Sequence, residues 1–193
     1  PEKNIISKIK KYTNKKIINA GDGDGEHPTQ ALLDLFTIME NFNKIPENIG
    51  FVGDIKYSRT IHSLVYLLSL LNFNQNYHFI CNEKLTPQGK FLKYLKDNNI
   101  VYFIYDTPSS IINNLDILYI TRLQKERFNN EIINPIIIDQ KIIKNSKETL
   151  IIMHPLPRNE ELSTELDNDN KSKYFEQVKN GVYIRMAIIE KIL

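Results

Sequence analysis

The chain has a single cysteine, Cys81, in 193 residues. One thiol excludes an internal disulfide framework and fits a reducing compartment, so a cytoplasmic setting is expected. No apolar run is long enough to span a bilayer, and no secretory signal is visible, so no membrane partner is expected. A charge excess of one sign is lacking too. The 25 basic and 23 acidic residues leave a net charge of +2, too little to suggest a nucleic-acid partner. The one basic cluster, Lys8 to Lys16, reads as the solvated face of a helix and its exit. Hydrophobic residues at 41% suffice for a sizeable core. The length suits one domain, or a large one with an appendage.

What is present is an alternation of helical and extended patterns. A short helix is expected around Ile5 to Tyr12, then a strand at Lys16–Asn19 and a helix at His27–Asn41. Apolar strands are expected at Ile49–Gly53, Tyr77–Cys81, Val101–Ile104, Ile117–Ile120 and Leu150–Met153. Helices fall near Arg59–Leu71, Pro87–Asn98 and Ser109–Asn113, with a last one at Tyr174–Ile192. Strands that are nearly all apolar, separated by helices, imply a parallel sheet covered on both faces. Right-handed crossovers make it doubly wound, an α/β fold. Asn129 to Lys147, rich in Ile and broken by Pro135, reads as either a short strand or a loop.

The chemistry concentrates at strand ends. In the stretch Ile18 to Ile38, Gly21, Gly23 and Gly25 free the backbone for left-handed turns. Pro28 suits the first position of a helix, and Ala31, Leu32, Leu35, Phe36 and Met39 recur at helical spacing. His27 and Gln30 therefore stand at a helix mouth, where free N–H groups and the positive dipole end favour a carbonyl oxygen or an anion. A histidine there is more commonly a cap, but three more strand ends carry comparable residues. Gly50 to Leu71 reads as strand, loop and helix, with Arg59 and Thr60 at the helix start. Thr60 could simply cap that helix and Arg59 be a solvated cation. Asp116 to Phe128 runs from a strand into Thr121, Arg122, Gln124, Lys125, Glu126 and Arg127. Leu150 to Arg158 closes on His154-Pro155-Leu156-Pro157, where two prolines stiffen the backbone and remove donors. In open α/β sheets, ligands bind beyond strand ends of this kind.

These segments resemble the aspartate carbamoyltransferase family. The matching pieces are NAGDG followed by HPTQ, LLDLFTI, VGD-KY-RT-HSL, D-LY-TR-QKER, HPLPR and YF-Q--NG-Y-RMA, in family order from Asn19 to Ala187. The resemblance implies transfer of a carbamoyl group from carbamoyl phosphate to L-aspartate in pyrimidine synthesis, with no metal or other cofactor. On the family pattern His27 donates to the carbamoyl oxygen as charge builds there, and Gln30 accepts from the carbamoyl nitrogen. The backbone carbonyls of Pro155 and Leu156 accept from the carbamoyl or attacking amine nitrogen. Arg59 and Thr60 grip the substrate carboxylates, Arg122 grips the β-carboxylate, Gln124 contacts the same end, and Glu126 orients Arg122. Guanidinium forks suit carboxylates better than lysines do.

Family catalytic chains have two α/β domains, and the first carries a Ser-Thr-Arg-Thr-Arg loop for carbamoyl phosphate. No such run occurs here and the chain opens on Pro1. The expectation is therefore the aspartate-binding half, inactive alone. Residues 1–26 are then the end of the carbamoyl-phosphate domain, 27–42 the helix between domains, 43–173 the aspartate-binding domain, and 174–193 a helix returning to the missing one. Apolar surface should be exposed at both ends of the chain, favouring self-association. The parent chain is expected to be a homotrimer. In relatives the region 129–147 is a loop that closes over aspartate. Two alternatives stand beside this reading. Ornithine carbamoyltransferases have Cys in place of Thr29 and His-Cys-Leu-Pro in place of HPLP. A non-catalytic scaffold would have no physical need for His27, Gln30, Arg59, Arg122 and Gln124.

Overall fold

The computed structural model describes residues 5–23, 25–128 and 132–193. Five strands, β1 (Asn48–Val52), β2 (Asn76–Ile80), β3 (Tyr102–Tyr105), β4 (Ile117–Ile120) and β5 (Ile151–Met153), form one parallel sheet in the order β3-β2-β1-β4-β5. The chain steps outward from β1 to β3 and then returns to the other side of β1. The strand order therefore reverses between β1 and β4. Loops leaving the carboxyl ends of these neighbours diverge and open a crevice.

The expected doubly wound α/β fold is thus observed, and its strands other than the edge strand β3 are nearly all buried because both faces are covered. On one face Phe51, Phe79 and Tyr119 pack against α2 (Pro28–Asn41), α3 (Arg59–Leu70) and α4 (Gly89–Asp97) through Ile38, Leu64, Leu68, Phe91 and Leu95. On the other, Val52, Ile80, Leu118, Ile120 and Ile152 meet Ile111, Ile112, the short helix α5 (Gln140–Ile143) and Tyr174 at the start of α6 (Tyr174–Ile192). Each such fully buried side chain contributes roughly 1.5–3 kcal/mol. A first helix, α1 (Ile5–Ile9), precedes the glycine cluster. Among the described residues, no helix is long and apolar enough to cross a membrane.

One element differs from expectation. Lys16–Asn19 is not a strand. Its side-chain pattern suits extended backbone, but a strand needs a neighbour to complete its ladder, and the segment lies instead beside the end of α6. Lys16 Nζ donates to the carbonyl of Ile192 and, at 3.2 Å, to that of Leu193. Ser109–Asn113 holds only a single 3₁₀ turn, Pro108–Ser110. Of the ambiguous 129–147 segment, 129–131 lie outside the described residues. The rest contains a lone bridge, Ile138 to Leu162, and α5.

Apolar exposure at the two ends of the chain is observed. Ile9, Tyr12 and Ile18 are exposed at the front. Phe175, Val178, Val182, Met186 and Ile189 recur every three or four residues of α6 and stay about half exposed. The inner side of the same helix is polar. Asn180 Nδ2 donates to Thr37 Oγ1 at 3.1 Å and to Glu40 Oε2 at 2.6 Å, fastening α6 to α2.

Candidate active site

Loops from the carboxyl ends of β1, β4 and β5 meet the amino ends of α2 and α3 around one cleft of about 680 Å³. His27, Gln30, Arg59, Thr60, Arg122, Gln124, Glu126, Pro155 and Leu156, all expected at a site from the sequence, line it together. Ser58, Thr121, Arg127, His154 and Pro157 complete much of the wall.

The first wall comes from the turn after β1. Gly53 has φ +110, and a Cβ there would run into the Thr121 carbonyl oxygen, so only glycine lets the β1 and β4 ends lie this close. Asp54 then turns inward, is fully buried, and joins the two loops. It accepts from the Tyr57 N–H at 3.0 Å and the Gln124 N–H at 3.2 Å. Burial pushes its carboxyl above the usual range, although both N–H groups and Arg127 pull the other way. Ser58 caps α3, accepting from the Ile61 N–H, and its hydroxyl lies 3.0 Å from that of Thr60. Arg59 reaches across to the glycine cluster and donates to the Gly23 carbonyl at 2.9 Å. Its guanidinium passes Gly21, whose φ is +120, at a distance where a Cβ would stand only 3.2 Å away.

The β4 loop presents Arg122 toward the cleft. Its guanidinium binds Glu126 in a two-pronged pair, at 2.8 and 3.2 Å, and donates to the Leu123 carbonyl at 3.3 Å. Glu126 thus pairs with Arg122 in the cleft wall itself. An incoming carboxylate would share or displace that partner.

His27 sits at the N-cap of α2, where its backbone N–H donates to Ser63 Oγ at 2.8 Å, and Ser63 donates to Glu26 at 2.6 Å. Burial, then the charges of Arg59 and Arg185, lower the His27 pKa from 6.5 to about 4. The ring is therefore neutral at physiological pH. Thr29 Oγ1 lies 3.4 Å from Nδ1. If Nδ1 accepts there, the ring proton is on Nε2.

The β5 frame is held by buried polar groups. His154 Nδ1 accepts from the Leu156 N–H at 2.9 Å, so Nε2 carries the proton and donates to Glu161 Oε1 at 3.0 Å. The same Glu161 oxygen accepts from the Asn159 N–H at 2.9 Å. Burial raises the Glu161 pKa, yet the His154 and backbone donors outweigh it and leave the carboxyl below its ordinary range. Leu156 has φ +50 and precedes a cis peptide bond to Pro157. Among the described residues, no N–H or O–H donates to the carbonyls of Pro155 or Leu156.

Beneath the cleft lies Asp34, fully buried on α2. It accepts from Gln30 Nε2 at 2.8 Å, Gln177 Nε2 at 2.6 Å and the Tyr119 hydroxyl at 2.7 Å. Burial, opposed by these donors, raises its pKa to about 7. Gln177 Oε1 in turn accepts from the His154 N–H at 2.9 Å. Asp34, Asp54, Glu161 and Gln177 were not singled out from the sequence. One signal was available: Asp34 interrupts the apolar stripe of α2, between Ala31 and Ile38, where a charge needs partners. Among the described residues, no group of three His, Cys, Asp or Glu side chains could hold a metal ion.

Fold and cleft together define a doubly wound α/β ligand-binding domain whose site is rich in arginine and open on one side. Two family models match the sequence. One, aspartate/ornithine carbamoyltransferase, Asp/Orn binding domain, covers residues 47–192; the other, carbamoyl-P binding domain of the same family, covers 1–40. The chain belongs to the aspartate/ornithine carbamoyltransferase family. It is 41% identical to the aspartate carbamoyltransferase catalytic subunit of Picrophilus torridus, over 96% of this chain and 62% of that protein. It is also 41% identical to the multifunctional protein CAD of Squalus acanthias, over its full length and 9% of that protein. Aspartate transcarbamoylase from Trypanosoma cruzi in complex with aspartate and phosphate superposes with a TM-score of 0.90 at 36% identity, covering all of this chain and 62% of that one. The catalytic subunit of the M. jannaschii aspartate transcarbamoylase gives 0.88 at 39% identity, covering all of this chain and 64% of that one. The chain thus spans about three fifths of the length of the single-function relatives it matches.

Proposed function

We propose that the full protein carrying this sequence is an aspartate carbamoyltransferase, moving the carbamoyl group of carbamoyl phosphate to the α-amine of L-aspartate. The reading rests on one observation above all: three arginines, a neutral histidine and Pro155 and Leu156, whose carbonyls accept no N–H or O–H among the described residues, line a single cleft. A dicarboxylate needs the arginines. An amine attacking a carbonyl needs a donor for the growing oxyanion and acceptors for its own protons. His27, neutral, donates to the carbamoyl oxygen. Gln30 accepts from the carbamoyl NH₂. The Pro155 and Leu156 carbonyls hold the nucleophilic nitrogen. Arg59 and Thr60 take the substrate carboxylates, and Arg122 with Gln124 takes the β-carboxylate. Glu126 keeps Arg122 extended until substrate arrives. Rate comes from positioning and preorganised charge, with phosphate as the leaving group.

The relatives matched at about 40% identity are named aspartate carbamoyltransferase catalytic subunits, which favours aspartate over ornithine as acceptor. The domain limits we adopt are 1–26, 27–42, 43–173 and 174–193. The two family models part between residues 40 and 47, at the end of α2, which supports a bridging helix there. On the family pattern a Ser-Thr-Arg-Thr-Arg loop holds the phosphate of carbamoyl phosphate, and this sequence contains no such run. On the family pattern the full protein is a cytoplasmic homotrimer.

The test is formation of N-carbamoyl-L-aspartate by the full protein. Arg122→Ala should raise the KM for aspartate by roughly a hundredfold, the loss of two charge-assisted hydrogen bonds, and leave carbamoyl phosphate binding unchanged. Turnover of L-ornithine in place of L-aspartate, or an unchanged aspartate KM in that variant, would defeat the proposal.

A further inference from the structure

We infer that Asp34 is a positioning residue that sets the polarity of the Gln30 amide, holding it by its nitrogen and so turning its carbonyl oxygen toward the cleft. The two ends of a glutamine amide have almost the same shape, so packing alone does not choose between them. A buried carboxylate, which while ionised can only accept, does. Asp34 Oδ1 accepts from Gln30 Nε2 at 2.8 Å and from Gln177 Nε2 at 2.6 Å, while Oδ2 accepts from the Tyr119 hydroxyl at 2.7 Å. Were either amide reversed, two acceptors would face each other in a fully buried site. The constraint reaches two walls of the cleft. From α2 it presents the Gln30 oxygen. Through Gln177, whose oxygen accepts from the His154 N–H at 2.9 Å, it anchors the start of the Pro155-Leu156 frame.

This inference rests on the proposal that Gln30 accepts from the carbamoyl NH₂. Acetyl phosphate, with a methyl group where carbamoyl phosphate has its amine, therefore serves as the discriminating probe. Binding of both compounds is measured on the full protein and on variants whose melting temperatures show them folded. Asp34→Leu removes the acceptor at similar volume. It should weaken carbamoyl phosphate by about tenfold to a hundredfold, the range for leaving a buried partner unmatched, with acetyl phosphate little changed. Asp34→Asn should bind both like the wild type. Its oxygen can keep both amides, and its nitrogen then meets the Tyr119 hydroxyl, which can accept. Should the leucine variant fail to fold, Asp34→Ser carries the same comparison, since its oxygen is too short to reach both amides. Equal losses on the two compounds would reduce Asp34 to a structural role and overturn the inference. So would unaltered carbamoyl phosphate binding in the folded leucine or serine variant, or an asparagine variant that behaves like leucine. Gln30→Ala separates the two levels. If wild type does not prefer carbamoyl phosphate to acetyl phosphate, or Gln30→Ala keeps the preference, the reading of Gln30 is what fails.

Discussion

Replacing Glu161 by leucine orphans the buried His154 Nε2–H and also removes the acceptor of the Asn159 N–H, which belongs to an exposed residue. His154 Nε2–H and the Asn159 N–H both end on Glu161 Oε1, at 3.0 and 2.9 Å, and the His154 and Glu161 side chains are 1% and 3% exposed. Leaving a buried donor without a partner costs about 1–3 kcal/mol. The His154 donor therefore predicts a loss of about 1–3 kcal/mol, since water can serve the Asn159 N–H, and this is a sizeable part of the 5–15 kcal/mol that holds a typical domain. Glu161→Gln keeps an oxygen for both donors and surrenders only the charge, so about 1–2 kcal/mol is expected. The sign with pH follows from the depressed carboxyl pKa. Its stabilisation is fully present above the unfolded value and is lost as pH falls through the folded one. Wild type and Glu161→Leu should thus differ most at neutral pH and converge in acid. Urea unfolding followed by circular dichroism at several pH values measures both. A leucine variant as stable as wild type at neutral pH would refute the assignment of Glu161 as acceptor for the buried His154 donor. So would a gap that widens in acid.

Two further outcomes can be measured. His27 and His62 are both held neutral, mainly by burial, with pKa values lowered from 6.5 to about 4. The folded state thus resists protons that the unfolded chain takes up. Urea midpoints should fall as pH drops from about 6.5 toward 4, and His62→Gln should flatten that slope; an unaltered slope would remove His62 from the account. Gly53→Ala forces a side chain into φ +110 and against the Thr121 carbonyl. It should cost more than about 1 kcal/mol and raise the KM for aspartate in the full protein, by shifting the loops that carry Arg59 and Arg122. A thermal melt and aspartate titration equal to wild type would count against this view of the crevice.

The strands were readable as short, mostly apolar runs, buried on both faces in β4 and β5 and half exposed at the edge strand β3, and β4 falls at Ile117–Ile120, as expected. The last helix was readable from end to end as well. Lys16–Asn19 was not, since its local pattern says extended while the ladder that would make it a strand depends on a neighbour elsewhere. Site residues that face the cleft announced themselves as polar side chains at strand ends. Those beneath it did not. Asp34 and Gln177 are separated by 143 positions; Asp54 meets Gln124 only because β1 and β4 are adjacent. A buried hydrogen bond between distant segments leaves no periodicity to read.

The bond between Asp34 and Gln177 also bears on how the protein is made. A ribosome delivers α2 long before α6, and domains generally settle in the order they emerge. Until Gln177 leaves the tunnel, Asp34 has only Gln30 and Tyr119 for company, and the His154 N–H lacks its acceptor. Every residue lining the main cleft precedes position 158, yet a chain without α6 would lack the Gln177 contacts to Asp34 and His154 beneath it. The supports beneath the cleft are therefore complete only once α6 has been made.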